Sequence, residues 1–194
     1  MTMTVQIAAI ALTMIALGPP LYALPASLSL PAGPRPGVVP LTLTQAAREL
    51  RASGKAGMEL VHAARALVAE RMVYCRRNSF DIYPIAFTRG YGYCQQQAFA
   101  LANLLSRLGF EARVVHALRN KFPDGQITAH AWVRVVVEGK EHDIDSIFHD
   151  AATGKPAFTP LSKVYTYNPA FRLLAGWGSA AVNAYRYYVT GKDR

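Results

Sequence analysis

Residues 129–145 read Ala129-His130-Ala131-Trp132-Val133-Arg134-Val135-Val136-Val137-Glu138-Gly139-Lys140-Glu141-His142-Asp143-Ile144-Asp145. The run is rich in β-branched and aromatic residues up to Val137, and Glu138-Gly139 then breaks it. This is the pattern of a strand over 129–137, a tight turn, and a returning strand over 141–148. With Glu138-Gly139 as the whole turn, Val137 pairs with Lys140, Arg134 with Asp143, Trp132 with Asp145, and His130 with Ile147. Opposed residues share a sheet face, and so do residues two apart on one strand. His130 and Asp145 therefore fall on one face as diagonal neighbours, ~7–8 Å apart at Cα and within side-chain reach. Asp143 lies on that face too, but farther off and opposite Arg134, where an ion pair accounts for it. A turn one residue longer would move Asp145 to the other face.

Upstream, 110–118 reads as a partner strand, followed by the turn signal Pro123-Asp124-Gly125. Before it, Ala98, Leu101, Leu104, Leu105 and Leu108 lie on one stripe of a helix over 95–108, and Gly109 stops it. A second helix is expected over 58–74. A short one is expected over 46–51, opened by a capping box in Thr42-Leu43-Thr44-Gln45. Residues 78–92, with Pro84, Gly90 and Gly92, read as a loop, and 170–188 as a further helix. Helices followed by an antiparallel sheet make the class α+β.

The 194 residues are 52% hydrophobic and 17% charged, enough for a real core and the size of one domain. Two cysteines exclude a multi-bridge disulfide framework. A net charge of +9 favours acidic partners such as phospholipid or nucleic acid. Charge is unevenly placed, for residues 1–34 contain no Lys, Arg, Asp or Glu. Val5–Leu17 is almost purely apolar, which suits a signal-peptide core better than the ~20 residues of a spanning helix. No basic residue precedes it, and Ala23 and Ala26 lack a small residue two places earlier. Residues 1–26 are therefore expected to be a signal peptide or a single membrane anchor. Seven of the twelve prolines fall between Gly18 and Pro40, so this stretch reads as an extended linker and not as a folded element. The expected organisation is an apolar segment over 1–26, a Pro-rich linker over 27–40 and a folded domain over 41–194. The expected location is extracytoplasmic or membrane-anchored.

Chemistry points first to Cys94, at the start of the strongest helix and after Arg89-Gly90-Tyr91-Gly92-Tyr93. A thiolate there would face the positive end of the helix dipole and unpaired backbone donors. Cys75, beside Arg76 and Arg77, has no such placement and reads as structural; a Cys75–Cys94 bridge is possible in an oxidising compartment. A nucleophilic thiolate needs a base, and the base needs an orienting acceptor. Of His62, His116, His130, His142 and His149, only His130 begins a strongly predicted strand. The hairpin register supplies Asp145 as its acceptor.

Four segments in order then resemble the transglutaminase-like superfamily, with its papain-like cysteine-enzyme core. They are Gly92-Tyr93-Cys94-Gln95 opening a helix, Leu105–Val115, Ala129-His130-Ala131-Trp132-Val133-Arg134-Val135, and Asp143-Ile144-Asp145. The resemblance covers about residues 56–150. It matches Cys94 to the family nucleophile, His130 to the family histidine, and Asp145 to the family aspartate. It implies acyl transfer or hydrolysis on a peptide or protein amide, with no cofactor and no metal. The backbone N–H of Cys94 would supply half of an oxyanion hole, with Tyr91, Tyr93 or Gln96 as candidates for the other half. The aromatic residue and proline that often flank the family aspartate are missing here. The acidic calcium sites of large animal transglutaminases are also missing, so calcium dependence does not carry over. Leader-peptide-processing cysteine proteases share the same core. The alternative is an inactive domain of this fold acting as a basic membrane- or protein-binding module. A metal site from His130, His142, Asp143 and His149 fails, because His142 points away from His130. No nucleic-acid motif of known geometry is present.

Overall fold

The structure is a computed structural model that describes residues 3–150 and 154–193. It divides into two compact units, one of Gly33–Cys75 and Asp81–Asn168, the other of the two chain ends with Arg76–Phe80. The helix at the end of the predicted 41–194 domain thus groups with the N-terminal segment.

The larger unit begins with α2 (Leu43–Ala52), counting as α1 the N-terminal helix Met3–Leu28 described below. Thr42 caps α2 reciprocally: its Oγ1 accepts from the Gln45 N–H at 3.2 Å, and the Gln45 Oε1 accepts from the Thr42 N–H at 2.8 Å. α3 (Gly57–Arg71), α4 (Tyr83–Arg89) and α5 (Cys94–Arg107) follow. α4 corrects the reading of 78–92 as a loop. Pro84 sits in its first turn, where a missing N–H costs nothing, and Gly90 ends it at φ 82°. The two breakers mark the limits of this helix and do not prevent it.

The sheet holds β1 (Glu111–Lys121), β2 (Ile127–Val137) and β3 (Lys140–Ile144) in the order β3-β2-β1, all antiparallel. Short strands β4 (Thr159–Pro160) and β5 (Tyr165–Thr166) pair with the far side of β1. In the β2–β3 hairpin Val137 faces Lys140, Arg134 faces Asp143 and Val133 faces Ile144, the register expected of a Glu138-Gly139 turn. Both turn residues are left-handed, at φ 51° and 74°, as a type I′ hairpin requires.

Alternation along the strands separates two faces. Ala131, Val133, Val135 and Val137 join Val114, Ile144 and the inner faces of α2, α3 and α5 in the main core. Leu101, Leu104 and Leu105 of α5 are fully buried there. Truncating one of them to Ala would cost about 2–5 kcal/mol. Val115, Ala117 and Trp132 form a second cluster under Phe158 and Val164. α5 is thus fixed against β1 and β2, which sets the position of its first residue, Cys94.

The smaller unit pairs α1 (Met3–Leu28) with α6 (Pro169–Thr190). The reading of Gly18–Pro40 as unfolded linker is corrected over 18–28, where the helix runs on through Pro19, Pro20 and Pro25. Packing accounts for it: Ala23 lies against Ala180 and Ala184, with all three buried. The Tyr188 hydroxyl also enters the helix ladder, donating to the Tyr22 carbonyl at 3.0 Å and accepting from the Ala26 N–H at 3.2 Å. Arg77 forms a forked pair with Asp193, and Ser27 Oγ donates to the Arg77 carbonyl at 2.6 Å. Among the described residues no helix is long and apolar enough to cross a membrane.

Candidate active site

The turn that delivers Cys94 is clamped before α5 begins. Val73 N–H donates to the Gly90 carbonyl at 3.1 Å, Gly92 N–H to the Val73 carbonyl at 3.0 Å, and Cys75 N–H to the Gly92 carbonyl at 3.3 Å. Gly92 is needed there, because a Cβ would lie 2.5 Å from Met72 Cε and 3.2 Å from Gln96 Cβ. The Gln96 Oε1 accepts from the Tyr93 N–H at 3.0 Å, which caps the helix, and its Nε2 donates to the Asp81 carbonyl at 2.7 Å. Cys94 is therefore the first residue of a rigidly held helix, with its thiol partly exposed. Cys75 is buried, and neither cysteine is in a disulfide.

His130 and Asp145 meet, but the expected returning strand over 141–148 is corrected: β3 ends at Ile144, the ladder stops at Val133–Ile144 short of the Trp132–Asp145 and His130–Ile147 pairs, and Asp145 follows directly after the strand. The His130 Nε2 lies 2.7 Å from the Asp145 Oδ2, and both side chains are buried. Asp145 is held in turn by backbone donors, from Ile147 N–H to Oδ1 at 3.1 Å and from Phe148 N–H to Oδ2 at 3.2 Å. Burial alone would strip the proton from His130. The Asp145 charge and hydrogen bond, with a contribution from Cys94, overcome it and raise the imidazole to about 10, which favours the charged ring beside the carboxylate. Asp143 takes the separate role expected of it, pairing with Arg134 through two hydrogen bonds of 2.7 and 3.0 Å.

Sequence reasoning missed several residues that fix this geometry. Gln97 is buried in α5, and its Nε2 donates to the Gly92 carbonyl at 2.9 Å while its Oε1 accepts from Ser146 Oγ at 3.1 Å. It ties the Cys94 turn to the residue next to Asp145. Asn120, also buried, donates to the carbonyls of Ala117 and Thr128 at 2.9 and 3.2 Å, holding the irregular stretch of β1 opposite His130. Phe122, Phe148 and Phe158 surround the His130 ring edge-on, at centroid distances of 5.5, 5.3 and 4.9 Å. Tyr167 lies beside Phe99 and His116, hydrogen-bonded to Gln95. Its phenol is pushed well up, first by burial and then by the charges of Cys94 and Tyr93, so it keeps its proton. A polar buried residue leaves no periodic trace, and these contacts span too much sequence to be read from spacing.

Tyr91, Tyr93 and Gln96, the expected oxyanion candidates, are all buried around the start of α5. A cavity of about 490 Å³ is lined by Met58, His62, Trp132, Asp143, Lys155 and Phe158 among others, and by none of Cys94, His130 and Asp145. Among the described residues, no three His, Cys, Asp or Glu side chains gather as a metal-binding set.

Comparison with known proteins agrees with this architecture. A family model described as the transglutaminase-like superfamily matches residues 44–142. One similar solved structure, described as a TGase, is 22% identical with a TM-score of 0.44, over 54% of this chain and 30% of its own. Another, from Cytophaga hutchinsonii and described as a candidate cysteine protease, is 16% identical with a TM-score of 0.40, over 73% of this chain and 55% of its own. The chain thus spans between 30% and 55% of the length of these structures. A search of curated proteins finds no match.

Proposed function

This chain belongs to the transglutaminase-like superfamily, and on that premise we propose that it carries out cysteine-dependent acyl transfer or hydrolysis on peptide or protein amides. The observation that supports the reading is the His130–Asp145 contact of 2.7 Å, with Cys94 at the start of α5 contributing to the raised value of the same ring. In this reading His130 holds the proton of the Cys94 thiol, and Asp145 fixes the ring and balances its charge.

The thiolate attacks the amide carbonyl carbon, and an S–C bond forms as the carbonyl π bond opens to an oxyanion. The Cys94 N–H, at the start of α5, is placed to donate to that oxygen, with Tyr91, Tyr93 or Gln96 as the candidate second donor. As the C–N bond breaks, the His130 imidazolium gives its proton to the leaving amine, and a thioester remains. Water or a second amine then attacks, His130 takes its proton, and the S–C bond breaks.

The test is iodoacetamide labelling of Cys94 across pH, with the site read by mass spectrometry, beside His130→Ala. Rapid labelling near pH 6 in the unaltered chain, lost in His130→Ala, is the expected result. Labelling no faster than at Cys75, unchanged by the substitution, would leave an inactive fold used for binding. Ammonia release from glutamine peptides, with and without an added amine, then separates transamidation from hydrolysis.

A further inference from the structure

The smaller unit has a surface that the proposed chemistry does not use. Ala23 and Ala26 turn inward on α1, while Leu12, Met14, Leu21 and Leu28 stand outward, Met14 70% and Leu28 75% exposed. On α6, Tyr185 and Val189 are likewise exposed, at 60% and 66%. A monomer in water rarely leaves so much large apolar surface on one helix pair. The charge of the same unit is one-sided. Arg76, Arg77, Arg172, Arg186, Lys192 and Arg194 stand against Asp193 alone, a formal +5 of the chain's +9.

We propose that this α1–α6 unit lies flat on an anionic lipid surface, its apolar side chains in the headgroup boundary and its basic residues on the lipid phosphates. The charge selects the occupant. A second copy would bring another +5 against the first, whereas an anionic bilayer supplies both the apolar boundary and the opposite charge. Lying on the membrane, and not across it, keeps the pairing of α1 with α6 over Ala23, Ala180 and Ala184. Tyr22 and Tyr188, in edge contact at 5.2 Å, are rings of the kind that favour an interface.

The experiment sediments the full chain, its N-terminus verified by intact mass, with vesicles of phosphatidylcholine alone or with about a quarter phosphatidylglycerol. Binding about tenfold tighter or more to the anionic vesicles is expected, lost between about 0.05 and 0.5 M salt. Leu21→Glu with Leu28→Glu should abolish binding, and Arg186→Glu with Lys192→Glu should abolish the anionic preference. If the first pair unfolds the unit by circular dichroism, the salt titration and the charge reversal still decide. Equal, salt-independent binding to neutral vesicles would mean insertion and overturn the proposal. So would no binding, or a dimer in solution that Leu21→Glu dissociates.

Discussion

At the scale of the residue, His130 shows how a buried ring can keep a charge. Three phenyl rings and the Trp132 indole at 6.4 Å exclude water from it, and that exclusion disfavours the cation. Asp145 reverses the balance because it is close, buried and already oriented by two backbone donors. Removing its charge should therefore let burial win. Asp145→Asn is expected to lower the proton affinity of His130 and slow Cys94 alkylation near pH 6. The linked stability has a definite sign. A group raised in the folded state stabilises fully below its unfolded value of about 6.5, and that contribution is lost as pH climbs toward about 10. Urea midpoints should fall between about pH 6.5 and 10 in the unaltered chain, and fall less in Asp145→Asn. Equal slopes in the two proteins would contradict the assignment of the raised value to this pair.

At the scale of the element, the site depends on how a helix start and a hairpin are pinned. Gln97 does part of this by bridging Gly92 and Ser146. Gln97→Ala leaves the buried Ser146 hydroxyl without this partner and removes one of the two donors to the Gly92 carbonyl, and should cost about 1–3 kcal/mol in urea unfolding. The hairpin is held by its turn, where Glu138 adopts φ 51°, a conformation that favours Asn or Gly. Glu138→Asn should thus stabilise the fold by about 0.5–1 kcal/mol, read as a raised urea midpoint at unchanged slope. These elements also show what was legible beforehand. The hairpin register, the start of α5 and the α2 cap follow from short-range rules, and each appears within a residue or so of its expected place. The meeting of His130 with Asp145 was legible in part: strand pairing carries the chain as far as Ile144, and the Ile147 and Phe148 N–H groups then hold Asp145 just past the strand. Three things were not. α4 hid behind a proline and a glycine that delimit it. The continuation of α1 past Pro19 depends on a tyrosine near the opposite end of the chain. Gln97, Asn120 and Tyr167 act through contacts that no local pattern records.

At the scale of the molecule, the chain crosses between two units, and the smaller is assembled from three separate stretches of sequence. Among the contacts that hold it together is the Tyr188 hydroxyl between Tyr22 and Ala26. Tyr188→Phe should accelerate amide exchange at Ala26 by a factor of about 5–30, as expected for ~1–2 kcal/mol. Unchanged protection would mean that α1 closes its own ladder there. The pairing of α1 with α6 also has a consequence in time. Tyr22 and Tyr188 are 166 residues apart, so α6 is made well after α1. At ~5–20 residues per second, α1 waits roughly ten to thirty seconds after synthesis for the residues that cover Ala23 and Ala26. Throughout that interval it lacks the partner that buries Ala23, and whatever it meets then, whether a chaperone or a lipid surface, it meets before its own unit is complete.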